Sequence, residues 1–209
     1  MIHADPNPHD AADLEALVTK LEAAGAYRVL RKLSPRLAVT PAPSVKTRQG
    51  LFVDTETTGL DAARDEIIEL AMVPFIYGLD GEVYSVGEPF QQLRQPSKPI
   101  PPEVTAITGI DDTMVAGKAI DPDKVRRFAA PASLVIAHNA AFDRRFLERF
   151  CEAFNTMPWA CSMSEIDWAA EGYEGTKLAY LAGGAGFFYD RHRAIHDCLA
   201  VGNQDSNQG

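Results

Sequence analysis

The sequence predicts an α/β fold, with a three-layer arrangement around a mixed central sheet and a helical N-terminal extension. In the second half of the 209-residue chain, short apolar runs alternate with segments of helical periodicity, which is typical of α/β proteins. Two earlier apolar runs flank the turn-forming stretch Gly78–Gly81, and this pattern predicts antiparallel neighbours. Because a chain of this length can bury a sizeable core, one domain with an extension is the simplest organisation.

The extension is expected to occupy residues 1–46. Its first ten residues are polar and proline-bearing, and we expect them to be disordered. From Ala11 onwards, apolar residues at helical spacing predict an amphipathic helix; they are Leu14, Leu17, Val18 and Leu21. Gly25 interrupts the pattern, and residues 26–33 are expected to form a second short helix. The proline-bearing stretch that follows is expected to be a linker.

The α/β domain is expected to span residues 47–201. Its predicted strands are residues 50–55, 66–77, 83–93 and 133–137. Its predicted helices are residues 101–109, which have proline early and glycine late, residues 123–130, and a segment that carries Phe142, Phe146 and Phe150. Gly202 opens a polar stretch, so the last helix is expected to end about one turn after Asp197. Residues 202–209 are then expected to be a polar, disordered tail.

Composition and charge argue against several classes of protein. The net charge of −9 argues against a protein that coats nucleic acid by bulk electrostatics, although not against one that grips a strand end. No apolar run is long enough to cross a bilayer, and the start does not resemble a signal peptide. The three cysteines include no CxxC pair, which argues against a disulfide framework. Reduced thiols and a cytoplasmic location are therefore expected.

Three separated stretches each end a hydrophobic run with acidic residues. The first holds Asp54 and Glu56, the second holds Asp143, and the third holds Asp197 with His192 shortly before it. Because Asp54 and Glu56 are two apart on a predicted strand, both side chains leave the same face, roughly 6.6 Å apart along the strand. Carboxylates gathered in this way repel one another unless cations lie between them. Two divalent ions held by such a group suit attack on a phosphodiester.

Several of these residues also have a purely structural interpretation. Asn139 follows a predicted buried strand and is well suited to cap the next helix. Asp143 lies in the first turn of that helix, where an acidic residue favours the helix dipole. His196 directly precedes Asp197, so on a helix it points about 100° away and is more often a structural histidine. His192 is the better candidate for a general base, because an unperturbed imidazole pKa of about 6.5 suits that role.

The three stretches resemble the motifs of the DnaQ-like (DEDDh) 3′→5′ exonucleases, the family that contains the proofreading subunit of bacterial DNA polymerase III. The matching residues are Asp54–Gly59, His138–Asp143, and His192 with Asp197, and the resemblance covers roughly residues 50–201. It implies the ribonuclease H-like fold and release of nucleoside 5′-monophosphates from single-stranded or frayed DNA 3′ ends, in proofreading or repair. It also implies His192 as the catalytic base and two Mg²⁺ or Mn²⁺ ions held by Asp54, Glu56, Asp143 and Asp197.

Contacts with the terminal nucleotide are expected from the residues after the first motif, from a segment similar to the one that lines the terminal base in the family, and from the second motif. These residues are Thr57, Thr58, Leu60, Ile107, Asn139 and Phe142. The spacing of Phe142 is more typical of a core position. An RNA-trimming enzyme is an open alternative, because contacts with the 2′-hydroxyl cannot be inferred from this sequence. A catalytically weak accessory subunit that binds a DNA polymerase or another replication or repair protein is a second one.

Overall fold

The computed structural model describes residues 8–34, 38–190 and 193–202. The strands are β1 Arg31–Lys32, β2 Thr47–Thr57, β3 Ile67–Gly78, β4 Val83–Val86, β5 Phe90–Leu93, β6 Val135–Ala137, β7 Trp159–Cys161 and β8 Phe187–Phe188. The helices are α1 Pro8–Ala23, α2 Pro102–Thr108, α3 Asp112–Val115, α4 Pro122–Ala129, α5 Ala140–Phe150, α6 Leu178–Gly184 and α7 Ala194–Gly202, with a 3-10 turn at Glu152–Asn155. Within these ranges, no helix has both the length and the apolar character needed to span a membrane.

A mixed sheet forms the centre of the domain. Its strand order is β4-β3-β2-β6-β7, and β5 also pairs with β3. Strand β2 runs antiparallel to β3 and parallel to β6, and β6 runs parallel to β7. The central position of β2 agrees with the burial of Leu51, Phe52 and Val53, which are at most 4% exposed. The predicted mixed sheet is therefore confirmed.

Helices cover both faces of this sheet. Because successive strand residues point to opposite faces, Leu51 and Val53 pack with residues of α4 and α5, whereas Phe52 packs with residues of α7. The Phe52 ring also stacks on Phe75, with ring centroids 4.0 Å apart. Burial of one such side chain contributes about 1.5–3 kcal/mol, so each face of the sheet holds its helices through apolar packing. The predicted three-layer α/β architecture is confirmed.

The β2–β3 pair contains a bulge where β2 ends. The register passes from Glu56 opposite Glu69 to Thr57 opposite Ile67, which leaves Ile68 as the extra residue on β3. Ile68 is fully buried in a small cluster with residues of α2 and α3. A bulge bends its strand and changes the direction of neighbouring side chains. Here it brings α2 and α3 to the end of the sheet at which the carboxylates of β2 lie.

Most of the elements predicted for the domain are present. Helix α2 begins at Pro102 and is closed by Gly109, whose left-handed φ of 69° is typical of a helix end. The single strand predicted over residues 83–93 is wrong, because β4 and β5 are separate strands. Pro89 lies between them and has no N–H to donate to a sheet. Helix α7 extends to Gly202, and the predicted polar tail from residue 203 onwards lies outside the described residues.

The N-terminal extension is only partly helical. Helix α1 confirms the predicted helix, although it begins at Pro8, so the expected disorder is wrong for residues 8–10. Its Leu14 and Leu17 are more than half exposed. The second helix, predicted over residues 26–33, is wrong. Residues Arg31 and Lys32 instead form β1, which pairs in parallel with β8. The helical prediction rested on local periodicity, whereas the hydrogen bonds that form here come from a strand edge more than 150 residues further along the chain.

Candidate active site

Three carboxylates converge at the end of β2. Asp54 and Glu56 leave the face of β2 that α7 covers, and Asp197 lies one turn into α7. Each of the three offers an oxygen that lies within 4.8 Å of the others. All three side chains are half-buried. The i, i+3, i+4, i+7 pattern of Ala194, Asp197, Cys198 and Val201 explains why Asp197 is on the packed face of α7.

Burial and mutual repulsion make these carboxylates hard to ionise. The pKa of Glu56 is raised from 4.5 to about 8, first by burial and then by the charges of Asp197, Glu69 and Asp143, with Arg193 acting in the opposite direction. The pKa of Asp54 is raised well above its ordinary value, first by burial and then by neighbouring carboxylates. A cation among these oxygens would reverse both effects, since it stabilises the charged form. The arrangement therefore fits a site for hard divalent ions.

Asp143 does not belong to this group of three converging ligand atoms. It is buried on α5, and its Oδ1 accepts hydrogen bonds from the Thr55 backbone N–H at 3.0 Å and the Thr55 hydroxyl at 2.8 Å. Thr55 points to the face of β2 opposite to Asp54 and Glu56. Burial raises the pKa of Asp143 to about 7, although both Thr55 hydrogen bonds act to lower it. The Asp143 carboxylate thus lies at the strand end and is tied to the backbone of β2.

The structure describes two of the three histidines of the motifs, and both have structural hydrogen bonds. His192, the predicted base, lies outside the described residues. The Nδ1 of His196 forms a hydrogen bond with the Asp190 carbonyl at 2.9 Å, so the structural interpretation of His196 is confirmed. His138 is also held structurally, with Nδ1 2.9 Å from the Ser162 hydroxyl and Nε2 2.7 Å from the Thr176 carbonyl.

The segment after β2 is held by its own hydrogen bonds. The Thr57 hydroxyl donates to the Gly59 carbonyl at 2.6 Å. The Thr58 hydroxyl accepts the Glu66 N–H at 3.0 Å, and the Thr58 backbone N–H donates to the Glu66 carbonyl at 2.9 Å. Both groups of Thr58 are thus engaged within the chain, and the predicted contact of Thr58 with a nucleotide stays a prediction. Leu60, in contrast, is 81% exposed, and Ile107 at the end of α2 is 59% exposed.

Asn139 precedes α5 but does not cap it with its side chain. Its backbone is left-handed with φ 67°, and its side chain makes no capping hydrogen bond. The predicted side-chain cap is wrong, because capping residues normally have an extended backbone. Asn is one of the few non-glycine residues that tolerate this conformation. Phe142 is partly buried with its ring centroid 5.0 Å from that of Phe146, which confirms its core role.

Glu69 was missed by the sequence analysis. It is completely buried on β3, directly opposite Glu56, and it pairs with Arg193 just before α7. The charge of Glu69 contributes to the raised pKa values of Asp54 and Glu56. The signal that would have revealed it is an acidic residue inside the apolar run of residues 67–73, because a fully buried Glu is rare unless it is paired.

The comparison with known protein families decides the classification. The exonuclease family RNase_T matches residues 51–203. The chain belongs to this exonuclease family. The resemblance to DnaQ-like exonucleases that the three motifs indicated is thus confirmed, and the match includes every carboxylate of the candidate site.

Individual relatives of this chain agree with the classification. A DNA polymerase III subunit epsilon-like protein of Rhodobacter capsulatus is 41% identical over 99 residues, which are 46% of this chain and 14% of that protein. Exodeoxyribonuclease 10 of Escherichia coli is 32% identical over 156 residues, which are 70% of this chain and 62% of that protein. The chain thus spans less than two thirds of either relative.

Solved structures show the same fold. A structure of exonuclease X in complex with 5′ overhanging duplex DNA is 30% identical with a TM-score of 0.52, and the match covers 72% of this chain and 87% of that one. E. coli exonuclease I in complex with a dA16 oligonucleotide has a TM-score of 0.58 at 19% identity, with 74% of this chain and 39% of that chain covered. The mixed sheet and its helices are therefore those of the ribonuclease H-like exonucleases.

Proposed function

We propose that the chain is a metal-dependent 3′→5′ exonuclease that releases nucleoside 5′-monophosphates from single-stranded or frayed DNA 3′ ends. One observation carries the proposal, namely the convergence of Asp54, Glu56 and Asp197 within an exonuclease domain. Hard carboxylate oxygens are the ligands that Mg²⁺ and Mn²⁺ prefer. Residues 47–201 would form the catalytic unit.

The roles of the site residues follow from their positions. Asp54, Glu56 and Asp197 would hold two Mg²⁺ or Mn²⁺ ions, with Asp143 as a further carboxylate beside Asp54. Such ions supply Lewis acidity and lower the pKa of water. His192 would accept the proton of the attacking water on an imidazole nitrogen, an assignment supported by its place in the third motif.

Contacts with the strand end are proposed for residues around the mouth of the site. The exposed side chains of Leu60 and Ile107 would pack against the terminal base, since Leu60 follows the carboxylate end of β2 and Ile107 lies in the last turn of α2. The backbone of Thr57 and Asn139 would line the same mouth. Phe142 and Thr58 would act indirectly, by packing and by holding the segment after β2.

DNA is favoured over RNA because exonuclease X, at 30% identity, has been solved in complex with 5′ overhanging duplex DNA. A DNA polymerase is a proposed partner, since one relative is named as a polymerase III subunit epsilon-like protein. The exposed leucines of α1 offer an apolar surface for such a contact. Cys151, Cys161 and Cys198 are free thiols, as expected of a cytoplasmic protein.

Replacing Asp54 with Asn tests the proposal directly. With a 5′-labelled single-stranded oligonucleotide and Mn²⁺, the parent should produce a ladder that shortens from the 3′ end. D54N should lower the rate by about a thousandfold, because charge stabilisation by a bound cation amounts to several kcal/mol and each ~1.36 kcal/mol is a factor of ten. D123N is a matched control, because Asp123 is exposed on α4. Equal rates for D54N and the parent would refute the assignment.

A matched RNA oligonucleotide separates the two substrate classes. The proposal predicts faster shortening of the DNA strand under the same conditions. Preference for the RNA strand would instead support the RNA-trimming alternative. Activity of the purified chain without any partner would exclude a purely accessory role.

A further inference from the structure

The buried Glu69 carboxylate accepts hydrogen bonds on both of its oxygens. Its Oε1 accepts from Gln91 Nε2 at 2.8 Å and from Arg193 Nη2 at 3.0 Å. Its Oε2 accepts from Arg193 Nε at 3.3 Å and from the Ala194 backbone N–H at 3.2 Å. A buried carboxylate is strongly destabilising unless its lone pairs are satisfied in this way. The cost of placing a charge here indicates a function beyond filling the core.

The donors to Glu69 lie at the start of α7. Ala194 is the first residue of this helix, and its N–H is one of the donors that a helix leaves without an internal partner. One turn later, the thiol of Cys198 contacts the Ala71 carbonyl at 3.7 Å. Glu69 and Ala71 are two residues apart on one face of β3, so α7 is fixed to β3 at two points. Asp197 lies between these two points, so the two contacts also fix the position of Asp197 along β2.

Glu69 also fixes the position of the positively charged Arg193 side chain near the carboxylates. The Arg193 guanidinium binds both Glu69 oxygens, and such a two-point pair has a fixed orientation. Glu56 lies directly across the strand pair from Glu69, so Arg193 is within electrostatic range of a proposed cation ligand. Glu56 is the other carboxylate whose charge acts on the Arg193 guanidinium, so it is an alternative partner for an arginine released from Glu69.

We propose that Glu69 is a positioning residue of the cation site. It anchors the start of α7 so that Asp197 meets Asp54 and Glu56, and it retains Arg193 so that the guanidinium does not pair with Glu56 in place of a cation. This inference rests on the proposed function, because it concerns the same carboxylates. It extends that function to a residue that touches neither the cation nor the nucleic acid.

The test measures Mn²⁺ binding by calorimetry, alongside exonuclease kinetics. E69Q keeps the shape of the side chain but releases Arg193, and the Mn²⁺ dissociation constant should rise about 10- to 100-fold, the range found when partners of metal ligands are removed. At saturating Mn²⁺, kcat should recover to within several-fold of the parent, and KM for the oligonucleotide should not change. In the double variant E69Q/R193M, where no released cation competes, Mn²⁺ affinity should be partly restored.

A second carboxylate–arginine pair provides a matched control. Glu66 is close to Glu69 in sequence and binds Arg94 at 2.8 Å; among the described residues its carboxylate bonds to Arg94 and Ser97 and not to α7. E66Q should therefore leave Mn²⁺ affinity unchanged. R193K provides a milder probe that leaves Glu69 charged, because lysine lacks the two-point geometry of arginine; it should also weaken Mn²⁺ binding, but less than E69Q.

The outcomes separate this inference from the proposed function. If the parent binds Mn²⁺ and D54N does not, while folded E69Q and R193K both bind as tightly as the parent, the positioning role is overturned alone. If E69Q weakens Mn²⁺ binding and E69Q/R193M weakens it further, the proposal that Glu69 keeps Arg193 away from Glu56 is overturned. A parent that binds no Mn²⁺ overturns the proposed function and this inference together.

Discussion

Replacing Glu56 with Gln should stabilise the metal-free protein at alkaline pH, although Glu56 is a proposed cation ligand. The pKa of Glu56 is raised from its ordinary 4.5 to about 8, chiefly by burial and then by Asp197, Glu69 and Asp143. For a raised acid pKa, the folded state binds more protons than the unfolded state, so stability falls as the pH rises between the two values. Gln does not titrate and removes this loss.

The magnitude follows from the same pKa values. A rise from 4.5 to about 8 corresponds to about 5 kcal/mol at ~1.36 kcal/mol per pKa unit. Glu56 is only half-buried, and solvent screening reduces this to roughly 2 kcal/mol. Below pH 4.5, E56Q and the parent should thus have the same free energy of unfolding. As the pH rises, E56Q should become more stable than the parent, and the difference should reach its full size above pH 8.

Urea unfolding in EDTA at pH 5 and pH 8.5 measures the effect, with E88Q as a control because Glu88 is exposed between β4 and β5. Saturating Mn²⁺ should reverse the order of stability. A ligand at a hundredfold excess over its dissociation constant stabilises by about 2.7 kcal/mol, and E56Q should gain less than this. If E56Q is less stable than the parent by the same amount at both pH values in EDTA, the reasoning from charge repulsion is wrong.

Two further substitutions probe the surroundings of the site. T55V removes the hydrogen bond from the Thr55 hydroxyl to the buried Asp143 carboxylate and should lower the free energy of unfolding by about 1.5–3 kcal/mol. Because that bond lowers the Asp143 pKa, the loss of stability measured by urea unfolding should be larger at pH 8 than at pH 5. A loss that is the same at both pH values would contradict this reasoning. N139A should destabilise by about 1–2 kcal/mol because of the left-handed backbone, whereas N139G should be close to neutral; equal unfolding midpoints for the two variants would show that backbone conformation is not the reason.

The parts of the fold that sequence predicted well are those with a local cause. Strand β2 was predicted from a continuous apolar run, and α2 from a proline at its start and a glycine at its end. Asp54 and Glu56 were placed on one face by the two-residue period of a strand, and Asp197 by its motif. These signals lie within a few residues of the feature that they predict.

The parts that sequence did not predict depend on distant partners. Residues Arg31 and Lys32 form a strand because β8 offers a pairing edge. Asp143 is tied to Thr55, 88 residues away, and Glu69 to Arg193, 124 residues away. Periodicity within one segment does not contain this information. Only the resemblance to the family motifs predicted that Asp143 and Asp197 would lie close to each other.

The departures from local rules concentrate where the chemistry is proposed. The end of β2 combines a bulge at Ile68, a buried Glu69, carboxylates with raised pKa values, and a left-handed Asn139 at the end of β6. Local sequence preferences alone would not produce these features, and such departures are expected at functional sites. A divalent cation bound at this site would relieve the repulsion between its carboxylates. Under the proposed function, bound cations would also reduce the repulsion between the acidic site of a chain with net charge −9 and a polyanionic strand end, which would couple folding stability and substrate binding to the same ions.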